Sequence, residues 1–159
     1  MSDQTLPCLV AAAAMMALPQ LAQAERIHET GKIGLGIGGG PPLGAGMSGK
    51  WFMNEKNALQ GLVGIRKGGA LLLSPDYLYT FEPIFQDDDV TFGWYGGFGA
   101  SLSLGSTDFT LGVSAILGVD FCIDRAPIDL YAELRPLLEM APMAEMHVGS
   151  FAGGLRYYF

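Results

Sequence analysis

The chain is poor in the residues that would mark several familiar classes of protein. It has two cysteines among 159 residues, Cys8 and Cys122, and so carries neither a disulfide framework nor a CxxC zinc motif. Charged residues make up 16% of the sequence, nine of them are basic, and the net charge is −7. Nucleic-acid binding depends on Lys and Arg that neutralise phosphates. We therefore expect no nucleic-acid partner.

Long apolar runs are also missing from most of the chain. After residue 24 no stretch approaches the roughly 18 apolar residues that a membrane-spanning helix needs. Residues 9–18 form the one long run, and Pro19 and the small-x-small sequence 22–24 follow it. This order is typical of a cleaved secretory signal peptide, which we predict over 1–24, with the mature domain over 25–159. Because no Lys or Arg precedes the run and Asp3 does, a buried N-terminal helix or a misplaced start codon stays open as an alternative.

Alternation of apolar and polar residues is the main pattern from Lys32 onward, and turn-forming residues interrupt it. The alternation is clear in most runs but poor in 58–65, whose faces it does not assign. Pro75 and Pro136 fall inside runs, which predicts a bulge or a strand end at each. No linker or repeat divides the chain, so we predict an all-β fold, an eight-stranded antiparallel up-and-down transmembrane β-barrel. The eight runs are 32–38, 44–53, 58–65, 70–80, 90–104, 109–123, 127–138 and 146–159.

Two orientations of such a barrel are compatible with the alternation. A soluble lipocalin-like carrier has its apolar face inside, whereas a membrane barrel has it outside. The polar face here is built from small residues such as Gly34 and Ser101 and from both signs of charge, which suits the narrow, filled lumen of a membrane barrel. We predict a structural charge network in that lumen and regard an ion or proton path as the weaker interpretation. Its members are Lys50, Asp76, Asp120, Asp129, Glu133, Arg135 and Arg156.

Aromatic residues concentrate at one rim of the predicted barrel. In an up-and-down barrel the even-numbered strands end, and the odd-numbered strands begin, at the same rim, which also holds both termini. A ring of aromatic side chains at one rim is typical of a membrane interface, so we favour the membrane barrel. The predicted aromatic girdle consists of Trp51, Tyr79, Phe92, Trp94, Phe121, Tyr157 and Phe159.

Five segments resemble a family of short bacterial outer-membrane β-barrel proteins that has no assigned activity. They are 43–51, 76–79, 94–100, 133–136 and 154–159. The resemblance implies an eight-stranded, porin-like barrel in the outer membrane of a Gram-negative bacterium, in contact with outer-membrane lipid. The last segment ends on Phe159, like the terminal strand that the barrel-assembly machinery recognises in such proteins. We expect a monomer.

Three groups of residues invite a chemical interpretation. His147, Ser150 and the nearby Glu145 suggest an esterase that acts on lipid, but His147 and Ser150 fall on opposite faces of a regular strand. The acidic triplet 87–89 offers oxygens to Ca²⁺, although such a run is more often solvated. Cys122 shares the parity of the lumen face and is expected to be inert.

The expected function is therefore that of an integral outer-membrane barrel with a structural or interaction role and a closed polar lumen. We expect no enzymatic activity, cofactor or metal. Two alternatives stay open: a soluble periplasmic carrier of apolar ligands, and, less favoured, an outer-membrane hydrolase that modifies lipid. The predicted outer loops are short, which makes an adhesin or receptor less expected.

Overall fold

A computed structural model of the chain describes residues 28–66, 68–106, 109–123, 125–141 and 144–159. The predicted signal peptide lies outside the described residues. Within these ranges, no helix is long and apolar enough to cross a membrane. In chain order the strands are β1 (Ile33–Gly40), β2 (Gly44–Phe52), β3 (Asn57–Ile65), β4 (Leu71–Thr80), β5 (Phe85–Gln86), β6 (Val90–Leu104), β7 (Phe109–Ile123), β8 (Ile128–Leu134), β9 (Leu137–Ala141), β10 (Glu145–His147) and β11 (Phe151–Tyr158).

The strands form one closed antiparallel barrel. Strands β1, β2, β3, β4, β6 and β7 follow one another around the wall, β8 and β9 both pair with β7, and β11 pairs with β8 and β1. The β1–β11 pairing closes the sheet. Counting β8 with β9 as one strand, and β10 with β11 as another, the wall of the barrel has eight strands. Strand β5 adds two residues beside the start of β6. The predicted eight-stranded antiparallel up-and-down barrel is confirmed.

The two prolines inside predicted strands behave differently. Pro136 separates β8 from β9, so the strand end predicted there is confirmed. The bulge or strand end predicted at Pro75 is wrong, because Pro75 lies within β4 opposite Gly61 and the β4–β6 register is the same on both sides of it. Proline has no N–H to donate to a neighbouring strand. The Ser74 hydroxyl instead donates to the carbonyl oxygen of Ala100 on β6 at 3.2 Å.

Strand β3 shows why its alternation was hard to interpret. Its inward residues include the apolar Ala58 and Leu62 on either side of Gln60, and all three are buried. Its outward residues Leu59 and Val63 are exposed and are also apolar. Because both faces carry aliphatic side chains, a period of two in polarity is not visible in this strand.

The interior of the barrel is layered. We call the rim that holds the start of β1 and the end of β11 the terminal rim, and the opposite end the loop rim. On β4 the inward residues run from Leu78 near the terminal rim through Asp76 and Ser74 to Leu72 near the loop rim. Two apolar clusters lie toward the two rims, and Asp120 and Asp129 lie at the level of the one near the terminal rim. The terminal cluster is Phe52, Ala58, Leu78, Tyr95, Ile116, Cys122 and Tyr158, and the loop cluster is Leu43, Leu62, Leu72, Leu137 and Ala152.

Inward glycines make room for large inward side chains on the neighbouring strand. Gly34 is paired with Tyr158, and Gly118 is paired with Tyr95. A Cβ atom on Gly34 would lie 2.7 Å from the Tyr158 ring, and one on Gly118 would lie 2.5 Å from the Tyr95 ring. The interior of an eight-stranded barrel is just wide enough to be filled by side chains. Each of these aromatic rings thus requires a glycine opposite it.

We expect Gly118→Ala to lower the free energy of unfolding by about 1–3 kcal/mol, because the added methyl group overpacks the lumen against Tyr95. The matched control is Gly61→Ala on the outer face of β3, where a Cβ would have no heavy atom within 4 Å. Urea unfolding in detergent micelles, followed by tryptophan fluorescence, measures both. Equal stability of the two variants would contradict the packing described for the lumen.

Candidate functional site: the charged lumen

All seven predicted lumen charges point into the barrel. Each residue is at most 3% exposed, and the set contains three cations and four carboxylates. A buried charge without a partner is very costly, so the contacts of these groups determine what the lumen can do. They are distributed over five strands: Lys50 on β2, Asp76 on β4, Asp120 on β7, Asp129 and Glu133 on β8, and Arg156 on β11, with Arg135 directly after β8.

Arg156 has the most contacts in the lumen. Its Nη1 pairs with Asp129 Oδ2 at 3.2 Å, and its Nε donates to Ser48 Oγ at 2.9 Å. Its Nη2 donates to Gln60 Oε1 at 2.5 Å. The guanidinium also lies over the Tyr131 ring, 3.6 Å from the centroid. All three guanidinium nitrogens therefore have a partner, and these partners come from β2, β3 and β8.

Glu133 is the centre of a second group of contacts. Its Oε1 accepts hydrogen bonds from Gln60 Nε2 and from the Tyr95 hydroxyl, both at 2.8 Å. Arg135 forms an ion pair with Asp76, with 2.5 Å between Nη2 and Oδ1, and a longer one with Glu133, with 3.7 Å between Nε and Oε2. Gln60 contacts both Arg156 and Glu133, so this one amide joins the two groups.

Lys50 and Asp120 form a third group nearer the terminal rim. Lys50 Nζ lies 3.4 Å from Asp120 Oδ2 and within 5 Å of the centroids of the Phe52 and Tyr95 rings, at 4.8 and 4.5 Å. His28, which precedes β1, reaches the same carboxylate, with 3.4 Å between Nε2 and Oδ2. The pair is thus enclosed by two rings and an imidazole at the terminal end of the lumen.

The His28, Asp120 and Cys122 side chains are close enough to resemble a metal-ligand set, since His28 Nε2 also lies 3.8 Å from Cys122 Sγ. However, the buried Lys50 ammonium already pairs with Asp120 Oδ2. A divalent cation at this position would lie beside that ammonium group in a poorly solvated environment, which is strongly unfavourable. This cluster is therefore better described as part of the ion network.

The lumen arrangement favours cohesion over transport. Its hydrogen bonds and ion pairs join residues that lie far apart in the chain and on different strands of the barrel. Rings of the terminal cluster pack against Lys50, and the loop cluster lies beyond the ions toward the loop rim. An ion that crossed the lumen would have to displace the paired charges and pass the loop cluster, which is costly.

Several members of the network were missed by the sequence interpretation. Gln60 was missed because the faces of 58–65 had not been assigned, although Gln60 is paired with Lys50 on one side and with Asp76 on the other. Counting residues from the short turns that join β3 to β2 and to β4 would have placed Gln60 opposite Lys50 and Asp76. Ser48 and Tyr131 were missed as partners because small and aromatic side chains carry no charge signal.

The predicted aromatic girdle lies on the outer face at the terminal rim. Trp51, Tyr79 and Trp94 are 45%, 40% and 38% exposed. The Trp94 ring stacks on Phe81 at 4.2 Å between centroids, and its Nε1 donates to the carbonyl oxygen of Glu82 at 3.0 Å. The remaining predicted girdle members, Phe92, Phe121, Tyr157 and Phe159, also occupy outward positions.

The structure does not bring His147 and Ser150 together as a base and a nucleophile. The Ser150 hydroxyl donates to the backbone oxygen of His147 at 2.9 Å, while His147 Nε2 faces Glu139 and Glu145. The imidazole is therefore directed at carboxylates and not at the serine.

In the acidic triplet, the Asp89 carboxylate forms an ion pair with Arg125. Asp87 Oδ1 accepts a hydrogen bond from the Asp88 backbone N–H at 2.9 Å, and these residues are exposed. This arrangement is that of a solvated loop.

No family model matches the chain, and neither a curated protein nor a solved structure matches it. A function must therefore be inferred from the geometry and chemistry of the barrel.

We expect Arg156→Met to lower the free energy of unfolding by about 3–5 kcal/mol, because it leaves the Asp129 carboxylate buried without its cation. The double variant Asp129→Leu/Arg156→Met removes both charges and should recover more than half of that loss. Urea unfolding in micelles measures all three proteins. A double variant that is less stable than the single one would contradict the pairing.

Proposed function

We propose that the chain is an integral β-barrel of the bacterial outer membrane, with a filled lumen and a structural or interaction role. The observation that carries this proposal is the absence of charge on the outer face. Among the described strands, no outward-facing position carries Asp, Glu, Lys or Arg, whereas charged residues are found at inward positions. A surface of this composition matches the hydrocarbon region of a bilayer.

The apolar character of the outer face is continuous around the wall. Ile37 on β1, Met47 on β2 and Phe98 on β6 are 68%, 68% and 66% exposed. Removing apolar surface from water stabilises a protein by about 25 cal/mol per Å², and these exposed side chains do not gain that stabilisation in water. Soluble monomers rarely expose large contiguous apolar patches. In a bilayer the whole outer face contacts hydrocarbon instead of water, so this free-energy cost is removed.

Strand length and the girdle support the same placement. A transmembrane β-strand needs about 9–11 residues, and β6 and β7 have 15 residues each. The aromatic girdle would lie at one interface, where amphipathic rings are favoured. We propose that the terminal rim faces the periplasm and that the loop rim faces outward.

The inward ion network argues against the alternative of a soluble carrier. A carrier of apolar ligands needs an apolar cavity inside, yet the centre of this lumen contains Arg156, Asp129, Glu133 and their partners. His147 and Ser150 are not arranged as a base and a nucleophile, which argues against a lipid hydrolase. We propose that the protein is not an enzyme.

Two partners follow from this placement. Outer-membrane lipid would cover the apolar wall. The barrel-assembly machinery would recognise β11, whose end carries the outward rings Tyr157 and Phe159, 5.1 Å apart between centroids. The Phe159 N–H donates to the carbonyl oxygen of Ile33 at 3.0 Å, so this end also takes part in closing the barrel. We propose that the barrel functions as a monomer.

We expect Leu117→Arg, at the middle of β7, to destabilise the membrane-inserted barrel by about 2–4 kcal/mol, because it places a charge on the lipid face near the bilayer midplane. Leu117 is 53% exposed, and Ile84, which is 62% exposed in the loop after β4, provides the matched control Ile84→Arg. Folding into lipid vesicles measures both variants. Equal loss in the two variants, or none in Leu117→Arg, would contradict placement in the membrane.

We also expect the purified barrel to show no discrete channel openings in planar bilayers, because paired side chains fill the lumen and the loop cluster lies beyond them toward the loop rim. An open porin measured in the same bilayers is the control for conductance. Discrete, reproducible openings that disappear in Arg156→Met would contradict the closed lumen and would favour an ion path.

A further inference from the structure

A second cluster of ionisable side chains lies at the loop rim, separate from the lumen network. It consists of Glu139 on β9 and of Glu145 and His147 on β10, with Arg66 beside Glu139. One ligand atom of each of the three residues lies within 4.8 Å of the others. Glu139 is 9% exposed, whereas the Glu145 side chain is 68% exposed, so the cluster opens to the outside of the loop rim.

The strand register places two carboxylates directly against each other. Glu139 and Glu145 are partners in the antiparallel β9–β10 pair, and His147 lies two residues along on the same face as Glu145. Like charges directly opposite in an antiparallel pair destabilise it. A cation between the two carboxylates would turn this repulsion into attraction.

Arg66 and His147 approach different oxygens of Glu139. Its Nη2 pairs with Glu139 Oε1 at 2.6 Å, which leaves Oε2 on the side of His147. His147 Nε2 lies 3.8 Å from Glu139 Oε2 and 3.9 Å from Glu145 Oε1. This nitrogen is buried and has no hydrogen-bond partner among the described residues. Arg66 thus pairs with one oxygen of Glu139, and the other oxygen lies near His147.

These separations are too long for hydrogen bonds, which span about 2.7–3.2 Å. They are close to the spacing of ligands around one ion: two ligands about 2.1 Å from a tetrahedral centre lie about 3.4 Å apart. Both separations exceed that spacing by about 0.5 Å, which small rotations of the exposed Glu145 and the partly exposed His147 side chains would remove. The donor set therefore fits a shared ion better than a hydrogen-bonded cluster.

We propose that Glu139, Glu145 and His147 form a binding site for a divalent transition-metal ion, with Zn²⁺ as the expected occupant. An imidazole nitrogen with carboxylate oxygens suits Zn²⁺, whereas Ca²⁺ and Mg²⁺ prefer all-oxygen sites. Water would complete the coordination on the exposed side. Bound metal would hold β10 against β9 at the loop rim.

The test uses protein without a histidine tag, expressed from the full chain, isolated from membranes in detergent and freed of metal with a chelator. Zn²⁺ is titrated by calorimetry, and Co²⁺ absorption provides a second readout of the ligand set. We expect saturable binding of one ion per chain. Glu145→Gln and His147→Ala should each weaken binding at least roughly tenfold, since even the loss of a residue that only supports a ligand costs about that much. His28→Ala, which alters the group of His28, Asp120 and Cys122 near the terminal rim, is the matched control and should leave the affinity unchanged.

The change of migration between unheated and boiled samples on SDS gels shows that each variant is folded. Glu145 is exposed, so its substitution by Gln is expected to leave the barrel intact. The proposal is overturned by the absence of saturable Zn²⁺ binding, by an affinity that is unchanged in His147→Ala, or by loss of binding in His28→Ala. Displacement of Zn²⁺ by an equal concentration of Ca²⁺ would also overturn the assignment to a transition metal.

Discussion

The Arg156 guanidinium ties β11 to β2, β3 and β8 through its contacts with Ser48, Gln60 and Asp129. A cation that is fully buried must be compensated on every side, since a lost partner leaves an expensive uncompensated charge. Three of the eight wall strands supply that compensation here. These contacts link β11 to β8 on one side and, across β1, to β2 and β3 on the other, so they span the seam at which the barrel closes.

The inward position of the charges has a direct consequence for the outer face. Alternation along a strand places neighbouring residues on opposite sides of the sheet. When ions occupy the inner positions of β7 and β8, the outer positions between them are filled by residues such as Val119, Phe121 and Leu130. Because the residues between the ions are apolar in this sequence, the same alternation that turns the ions inward turns apolar side chains outward. Compared with a soluble protein, the barrel has its charges inside and its apolar side chains outside. The lipid environment that we propose follows from this arrangement.

The period of two was enough to predict the strand count and the antiparallel barrel, whereas the composition of the polar face and the aromatic rim were needed to predict which face points inward. It worked best for β6 and β7, which are long and alternate without interruption. It failed in β3, where Leu62 points inward with the ions. It also could not show that Ser74 supplies the donor that Pro75 lacks, because that contact depends on the distance to Ala100 on a neighbouring strand.

The cluster at the loop rim shows a second limit of the sequence. Glu145 and His147 were noticed as neighbours of Ser150 in the chain, but their actual partner is Glu139, across the β9–β10 pair. That pairing depends on the strand break at Pro136 and on the register of a three-residue strand. Short strands carry little periodic signal, so the register could be read only from the structure.

Cell fractionation combined with SDS gels of unheated and boiled samples tests the central claim most directly. A barrel whose apolar wall lies in lipid is found in the outer-membrane fraction and migrates differently before and after boiling. A folded protein recovered from the soluble fraction without detergent, with no change in migration on boiling, would contradict placement of the outer face in the membrane.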